Sequence, residues 1–174
     1  MIFRETFSQK LSFFLIRQIP WLMGFFLLFI GLFPLRLSFF TQHYIPFIYI
    51  SLFYWVVFRP DLISPLRVFL LGFLADLLYQ TPLGYQSFCF VLFYALVLVK
   101  QRFLQARSFS FLWGAFCVFS FGLMLFQWLL SMLLYWQYLS VIIFVAQMLL
   151  LWISYPFVAG ICGFFDVRWL EDEE

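Results

Sequence analysis

Residues 109–135 read FSFLWGAFCVFSFGLMLFQWLLSMLLY and contain no charged side chain. An α-helix of this length rises about 40 Å, which exceeds the roughly 30 Å hydrocarbon core of a bilayer. The stretch is apolar on every side, whereas a strand of a membrane barrel would alternate apolar and polar residues. It therefore predicts a transmembrane helix.

Five further apolar runs flank this stretch and are separated from it by charges or turn residues. They cover residues 19–37, 44–58, 66–79, 83–99 and 138–165. Together the runs predict an all-α integral membrane protein with six transmembrane helices in one bundle, and residues 1–174 as a single polytopic domain. The third run is short for a full crossing. An alternative is that runs three and four form a re-entrant hairpin, turned at Pro82-Leu83-Gly84, which would leave four crossings.

The composition fits a lipid environment. Of the 174 residues, 66% are apolar and 10% are charged, against roughly 25% charged in soluble domains. So few charges cannot cover a soluble surface, and we expect membrane lipids around most of the chain. The net charge of +2 is small and the basic residues are scattered, which argues against nucleic acid as a partner.

The positions of the basic residues predict the orientation, because Lys and Arg in short loops stay preferentially on the cytoplasmic side. With six crossings and a cytoplasmic amino end, only Arg36 falls outside. The others fall inside, namely Arg4, Lys10, Arg17, Arg59, Arg67, Lys100, Arg102, Arg107 and Arg168. We therefore predict a multi-pass membrane protein with both termini cytoplasmic: an N-terminal segment at 1–18 and an acidic tail at 166–174.

Asp76 is the only acidic residue well inside an apolar run. An ionisable group at that depth is costly, which suggests a specific role. Gly72 lies one turn before it on the same helical face, where a second backbone could approach closely. We expect Asp76 to accept hydrogen bonds that brace a helix contact or the turn at 81–84. The alternative is a carboxylate near the outer interface that is solvated by headgroups or protonated.

The remaining reactive residue types do not form a site. His43 is the only histidine and has no partner signalled nearby, and Cys89, Cys117 and Cys162 stand singly in apolar runs. Nucleophilic, metal and redox chemistry each need a spacing that is missing here. We predict no catalytic residue, no metal, no cofactor and no enzymatic activity.

The central third of the chain resembles a known family. Residues 54–60 read YWVVFRP, residues 69–78 read FLLGFLADLL, and residues 80–84 read QTPLG. The pattern Phe-x-x-Gly-x-x-x-Asp followed by Pro-x-Gly, after aromatic residues and Arg-Pro, is similar to the signature of the rod shape-determining protein MreD family. The resemblance implies that Gly72, Asp76, Pro82 and Gly84 form a structural cluster. Arg59 and Pro60 are further structural or interaction candidates.

The resemblance implies a function as well as a fold. It implies a non-enzymatic inner-membrane scaffold of the cell-elongation machinery, which organises peptidoglycan synthesis and maintains rod shape. It implies direct binding to MreC and, through the complex, association with MreB, RodA and a class B penicillin-binding transpeptidase. The implied fold is that of the substrate-binding subunits of energy-coupling-factor transporters. A vitamin-type substrate-binding subunit is therefore the alternative function, although residues 20–31 lack the Ala-x-x-x-Ala motif of those subunits.

Overall fold

The computed structural model describes residues 18–32, 46–135 and 141–170. These ranges contain six α-helices, and a short 3-10 helix, Pro60–Leu62, links the second to the third. The helices are α1 (Ile19–Leu32), α2 (Ile48–Phe58), α3 (Pro65–Tyr79), α4 (Tyr85–Gln105), α5 (Phe109–Tyr135) and α6 (Val141–Leu170). The described ranges contain no strand, so the predicted all-α class is confirmed, and the six helices in these ranges equal the number of predicted runs.

Several sequence-based expectations lie outside the described residues. They concern residues 1–17 of the N-terminal segment, Arg36, His43 and the acidic residues 171–174.

Three of the helices are long and apolar enough to cross a membrane. The candidate spans are Tyr85–Gln105 in α4, Phe109–Leu133 in α5 and Val141–Phe164 in α6. The shorter apolar helices α1 and α2 have 14 and 11 residues, and α3 has 15. An 11-residue helix rises only about 16 Å. Within the described ranges there are thus three candidate spans, and the predicted six crossings are not shown.

Two helices run further than their apolar sequence does. The predicted runs ended at residues 99 and 165, whereas α4 continues to Gln105 and α6 to Leu170. Hydropathy marks where a chain leaves hydrocarbon, but the backbone hydrogen bonds of a helix continue while its residues favour them. Lys, Arg, Gln and Leu are good helix formers, so the sequence at 100–105 extends α4 beyond the apolar segment.

Helix α2 is the centre of the bundle. Nine of its 11 residues are buried, which fits a helix that is apolar all round. It packs against α1, α4, α5 and α6, while α3 packs against α1 and α4. Aromatic rings connect three of these helices. The ring centroids of Phe53 in α2 and Phe116 in α5 are 5.4 Å apart, and Phe116 stacks on Tyr155 of α6 with 4.6 Å between centroids.

The outward faces of α4, α5 and α6 are apolar. Val99 is 79% exposed, Ile142 80% and Phe157 74%. In water this exposure would cost about 25 cal/mol for each Å² of apolar surface, whereas lipid tails impose no such cost. The surface therefore fits hydrocarbon.

A proline within α6 is compensated by α5. Pro156 has no N–H, so the carbonyl of Trp152 four residues earlier loses its usual helical donor. The indole Nε1 of Trp113 donates to that carbonyl at 3.1 Å. In turn, Nε1 of Trp152 donates to Oγ of Ser120 at 3.0 Å. Two indole hydrogen bonds thus join α5 to α6 along their spans.

Candidate functional site

The Asp76 carboxylate lies inside the protein, where α3 approaches the start of α4. Its residue is 1% exposed. Helix α3 begins after Ser64, with Pro65 at the first helical position, and ends at Tyr79; the next residue, Gln80, adopts the left-handed conformation at φ 55°. The main-chain N–H of Thr81 donates to the Asp76 carbonyl at 3.1 Å. Asp76 therefore sits in the last turn of α3 and faces the residues that follow it.

Five donors reach the two carboxylate oxygens. Oδ1 accepts from Oγ1 of Thr81 and from the main-chain N–H of Gln86, both at 2.7 Å. Oδ2 accepts from the main-chain N–H of Gly84 at 2.9 Å. It also accepts from Oγ and the main-chain N–H of Ser87, at 3.2 and 3.4 Å. Since an ionised carboxylate offers about four lone-pair sites, its accepting capacity is fully used.

This geometry makes Asp76 the cap of a neighbouring helix. The first N–H groups of α4 have no partner within the helix, and the positive end of the helix dipole points the same way. Gly84, at the N-cap position, has φ 96° and supplies no side-chain cap of its own. A carboxylate from α3 therefore satisfies donors that α4 cannot satisfy, in surroundings where unpaired polar groups are costly.

Gly72 allows the two helices to come this close. A Cβ added at Gly72 would lie 2.4 Å from Cα and 2.7 Å from the nitrogen of Ser87. Only glycine leaves room for the α4 backbone at that distance. The close approach that we expected at Gly72 is thus made by α4, the helix that follows α3 in the chain.

A chain of polar side chains continues from this cap into the bundle. Gln86 is fully buried, and its Oε1 accepts from Nε2 of Gln127 at 3.1 Å. The same Nε2 also lies 2.8 Å from the hydroxyl of Tyr49. The hydroxyl of Tyr85 donates to the main-chain carbonyl of Gln127 at 2.9 Å. Side chains from α2, α4 and α5 are therefore connected to the carboxylate of α3.

A second polar cluster lies at the opposite end of α2. Nε of Arg59 donates to Oδ1 of Asp166 at 3.1 Å, and the hydroxyl of Tyr54 donates to Oδ2 at 3.3 Å. Gly163 lies beside this tyrosine, because a Cβ there would be 3.3 Å from the hydroxyl oxygen. The cluster connects the end of α2 to the end of α6.

The six candidate residues therefore divide into two groups. Gly72, Asp76 and Gly84 meet at the junction of α3 and α4, with Pro82 exposed in the same turn. Arg59 and Pro60 lie beyond the other end of α2, at and in the 3-10 helix. The hydrogen bonds of Asp76, Gly84 and Arg59 connect helices within the protein. A role of the six residues in binding partners stays a prediction.

Sequence reasoning missed some of the polar residues. Asp166 was assigned to the acidic tail, whereas it lies within α6 and pairs with Arg59. Gln86 and Gln127 lie in apolar runs, and glutamine in such a run is itself a signal of bonding between membrane helices. That signal would have identified both amides without a structure.

The fold and the capped hairpin define an all-helical membrane protein whose buried polar groups hold its helices together. The model of the family rod shape-determining protein MreD matches residues 15–165, and the chain belongs to this family. The family gives it a role in rod-shape determination and is one of structural proteins. No curated protein and no solved structure matches the chain, so the expected likeness to energy-coupling-factor subunits is not shown.

Proposed function

We propose that this protein is a non-enzymatic scaffold of the bacterial inner membrane that binds MreC directly. Through MreC it would associate with MreB, RodA and a class B penicillin-binding transpeptidase, and so organise peptidoglycan synthesis along the rod. Family membership supports the role in cell shape. The distribution of polar and small residues supports binding through helix faces.

The observation that carries the proposal is the position of three glycines. A Cβ added at Gly114 or Gly122 of α5, or at Gly160 of α6, would meet no atom within 4 Å. By contrast, Gly24 and Gly163 lie against side chains of the same chain. Glycines on an outward helix face let another membrane helix approach closely, and these three are not needed for packing within the described part of the chain.

The buried polar groups support the same conclusion. The Asp76 carboxylate is saturated by donors from its own hairpin, which leaves it no capacity for a substrate. Asp166 is bonded to Arg59 and Tyr54. The outward faces of α5 and α6 are apolar and suit the transmembrane helix of a partner.

Co-purification with MreC tests the proposed helix face. Gly122→Ile adds a branched side chain where the surface is open, so we expect MreC binding to fall while the unfolding temperature stays at the wild-type value. Val118→Ile is the matched control, because Val118 is 72% exposed on the same helix, one turn earlier. It adds only one methylene and should retain binding. Full MreC binding by Ile variants at Gly114, Gly122 and Gly160 would contradict the proposal.

Depletion in cells tests the role itself. Cells depleted of the protein should lose their rod shape and become round, and wild-type protein should restore the rods. Cells that keep their width and need only an added nutrient would instead support a vitamin-type transporter subunit.

Cysteine labelling tests the proposed topology. In a background without Cys89, Cys117 and Cys162, Gln80→Cys places a thiol in the turn before α4 and Arg102→Cys places one near the end of α4. If α4 crosses the bilayer, an impermeant thiol reagent should reach the two positions from opposite sides, with residue 102 in the cytoplasm. Labelling of both from one side would favour the re-entrant hairpin.

A further inference from the structure

The end of α4 and the turn that follows it carry positive charge, and no acidic residue lies in this segment. Lys100, Arg102 and Arg107 are all exposed there. The sequence has no Asp or Glu between Asp76 and Asp166. We call residues 100–111 the basic hairpin.

Two other cations near this end of the bundle, Arg59 and Arg67, already have partners. Arg59 is paired with Asp166, and Nη1 of Arg67 donates to the main-chain carbonyl of Leu62 at 3.1 Å. Arg107 differs from them, because its guanidinium makes no hydrogen bond or ion pair to any residue in the part of the chain that the structure describes.

Two aromatic rings hold the Arg107 guanidinium in place. Its Cζ lies 4.6 Å from the centroid of Phe103 and 5.4 Å from that of Phe111. Attraction between a cation and a ring face favours this position. Because the rings contact the face of the guanidinium, its N–H groups remain able to donate hydrogen bonds to an anion. The planar group suits the oxygens of a phosphate, to which it can donate two parallel hydrogen bonds.

The surroundings of Arg107 place it at a membrane surface. The end of α4 lies beside the end of α2, because Nε2 of Gln105 donates to the main-chain carbonyl of Val57 at 2.6 Å, and Arg107 follows two residues later. Phe103, Phe109 and Phe111 are all exposed around that end. Exposed rings beside cations are typical of the interface, where the rings contact acyl chains and the cations reach headgroups.

From this geometry we propose that the basic hairpin binds the phosphodiester headgroup of an anionic phospholipid, with Arg107 as the central contact. Basic pockets at the ends of membrane helices bind such headgroups. A lipid fits this surface better than an acidic peptide does, because its acyl chains would also cover the exposed phenylalanines. Lys100 and Arg102 add attraction without a fixed geometry.

Native mass spectrometry of the purified full-length protein in detergent tests this proposal. The probes are phosphatidylglycerol and phosphatidylcholine with the same acyl chains. The wild type should bind phosphatidylglycerol more tightly, and Arg107→Gln should weaken that binding about fivefold, the effect expected for one cation at a membrane surface. Arg107→Lys keeps the charge but loses the planar fork, so its affinity should lie between the two.

Arg67→Gln is the matched control, since it removes one cation of the same chain that already donates to a carbonyl. It should leave the preference unchanged. Equal binding of both lipids by the wild type, or equal losses in Arg67→Gln and Arg107→Gln, would overturn the proposal. Inorganic phosphate that displaces phosphatidylglycerol at comparable concentration would also overturn it, in favour of a soluble anion.

Discussion

Replacing Asp76 by alanine removes the carboxylate that caps α4. The change deletes five hydrogen bonds, three of them from main-chain N–H groups of residues 84, 86 and 87. A buried donor left without a partner costs about 1–3 kcal/mol, and breaking a buried charged network costs about 3–5 kcal/mol in all. Water that enters the turn would recover part of this. We therefore expect Asp76→Ala to lower the free energy of unfolding by about 3–5 kcal/mol.

The assay is equilibrium unfolding of the purified protein in mixed micelles, with unfolding temperature as a second measure. Asp61→Ala is the control, because Asp61 is exposed in the 3-10 helix and should change stability by less than about 0.5 kcal/mol. Asp76→Asn keeps one accepting oxygen and should fall between the two. MreC co-purification should follow the same order. Equal stability of Asp76→Ala and Asp61→Ala would refute the account of the cap.

Three further changes test other contacts. Gly72→Ala should destabilise the protein by about 1–3 kcal/mol through overpacking, whereas Gly114→Ala should be neutral or stabilise it by up to about 1 kcal/mol through helix propensity; equal effects in thermal unfolding would contradict the close approach of α3 and α4. A double-mutant cycle of Arg59→Ala and Asp166→Ala should give a coupling free energy of about 0.5–1 kcal/mol, since the pair is partly exposed. Zero coupling would show that this ion pair does not stabilise the fold. Gln127→Leu should cost about 1–2 kcal/mol in the same unfolding assay by deleting two side-chain hydrogen bonds, and wild-type stability would show that the amide contributes nothing.

The sequence predicted the helices better than their partners. Apolar runs and the turn at residues 82–84 are local signals, so the six helices followed from them. The stripe that joins Gly72 to Asp76 predicted a close contact on one face of α3. It did not identify α4 as the neighbour, because a helical face does not specify which element covers it. Hydrogen bonds to Asp76 were expected, while the extent of the cap depended on coordinates.

The second polar cluster shows a different limit. Asp166 is followed closely by four acidic residues, and this local charge hid its pairing with Arg59, which lies 107 positions away. Sequence separation of that size carries no local signal. The same applies to the contact between Gln127 and Tyr49. Such pairs are set by how the helices assemble around α2, which hydropathy alone does not determine.

The Trp113 indole that serves the carbonyl freed by Pro156 has a consequence for how α5 and α6 can separate. In lipid there is no water to replace a lost donor. Pulling the two helices apart would therefore strand a main-chain oxygen of α6 among acyl chains. A partner helix that inserted between α5 and α6 would have to place an N–H or O–H donor at the same depth. Only sequences with a polar residue at that position could therefore insert there.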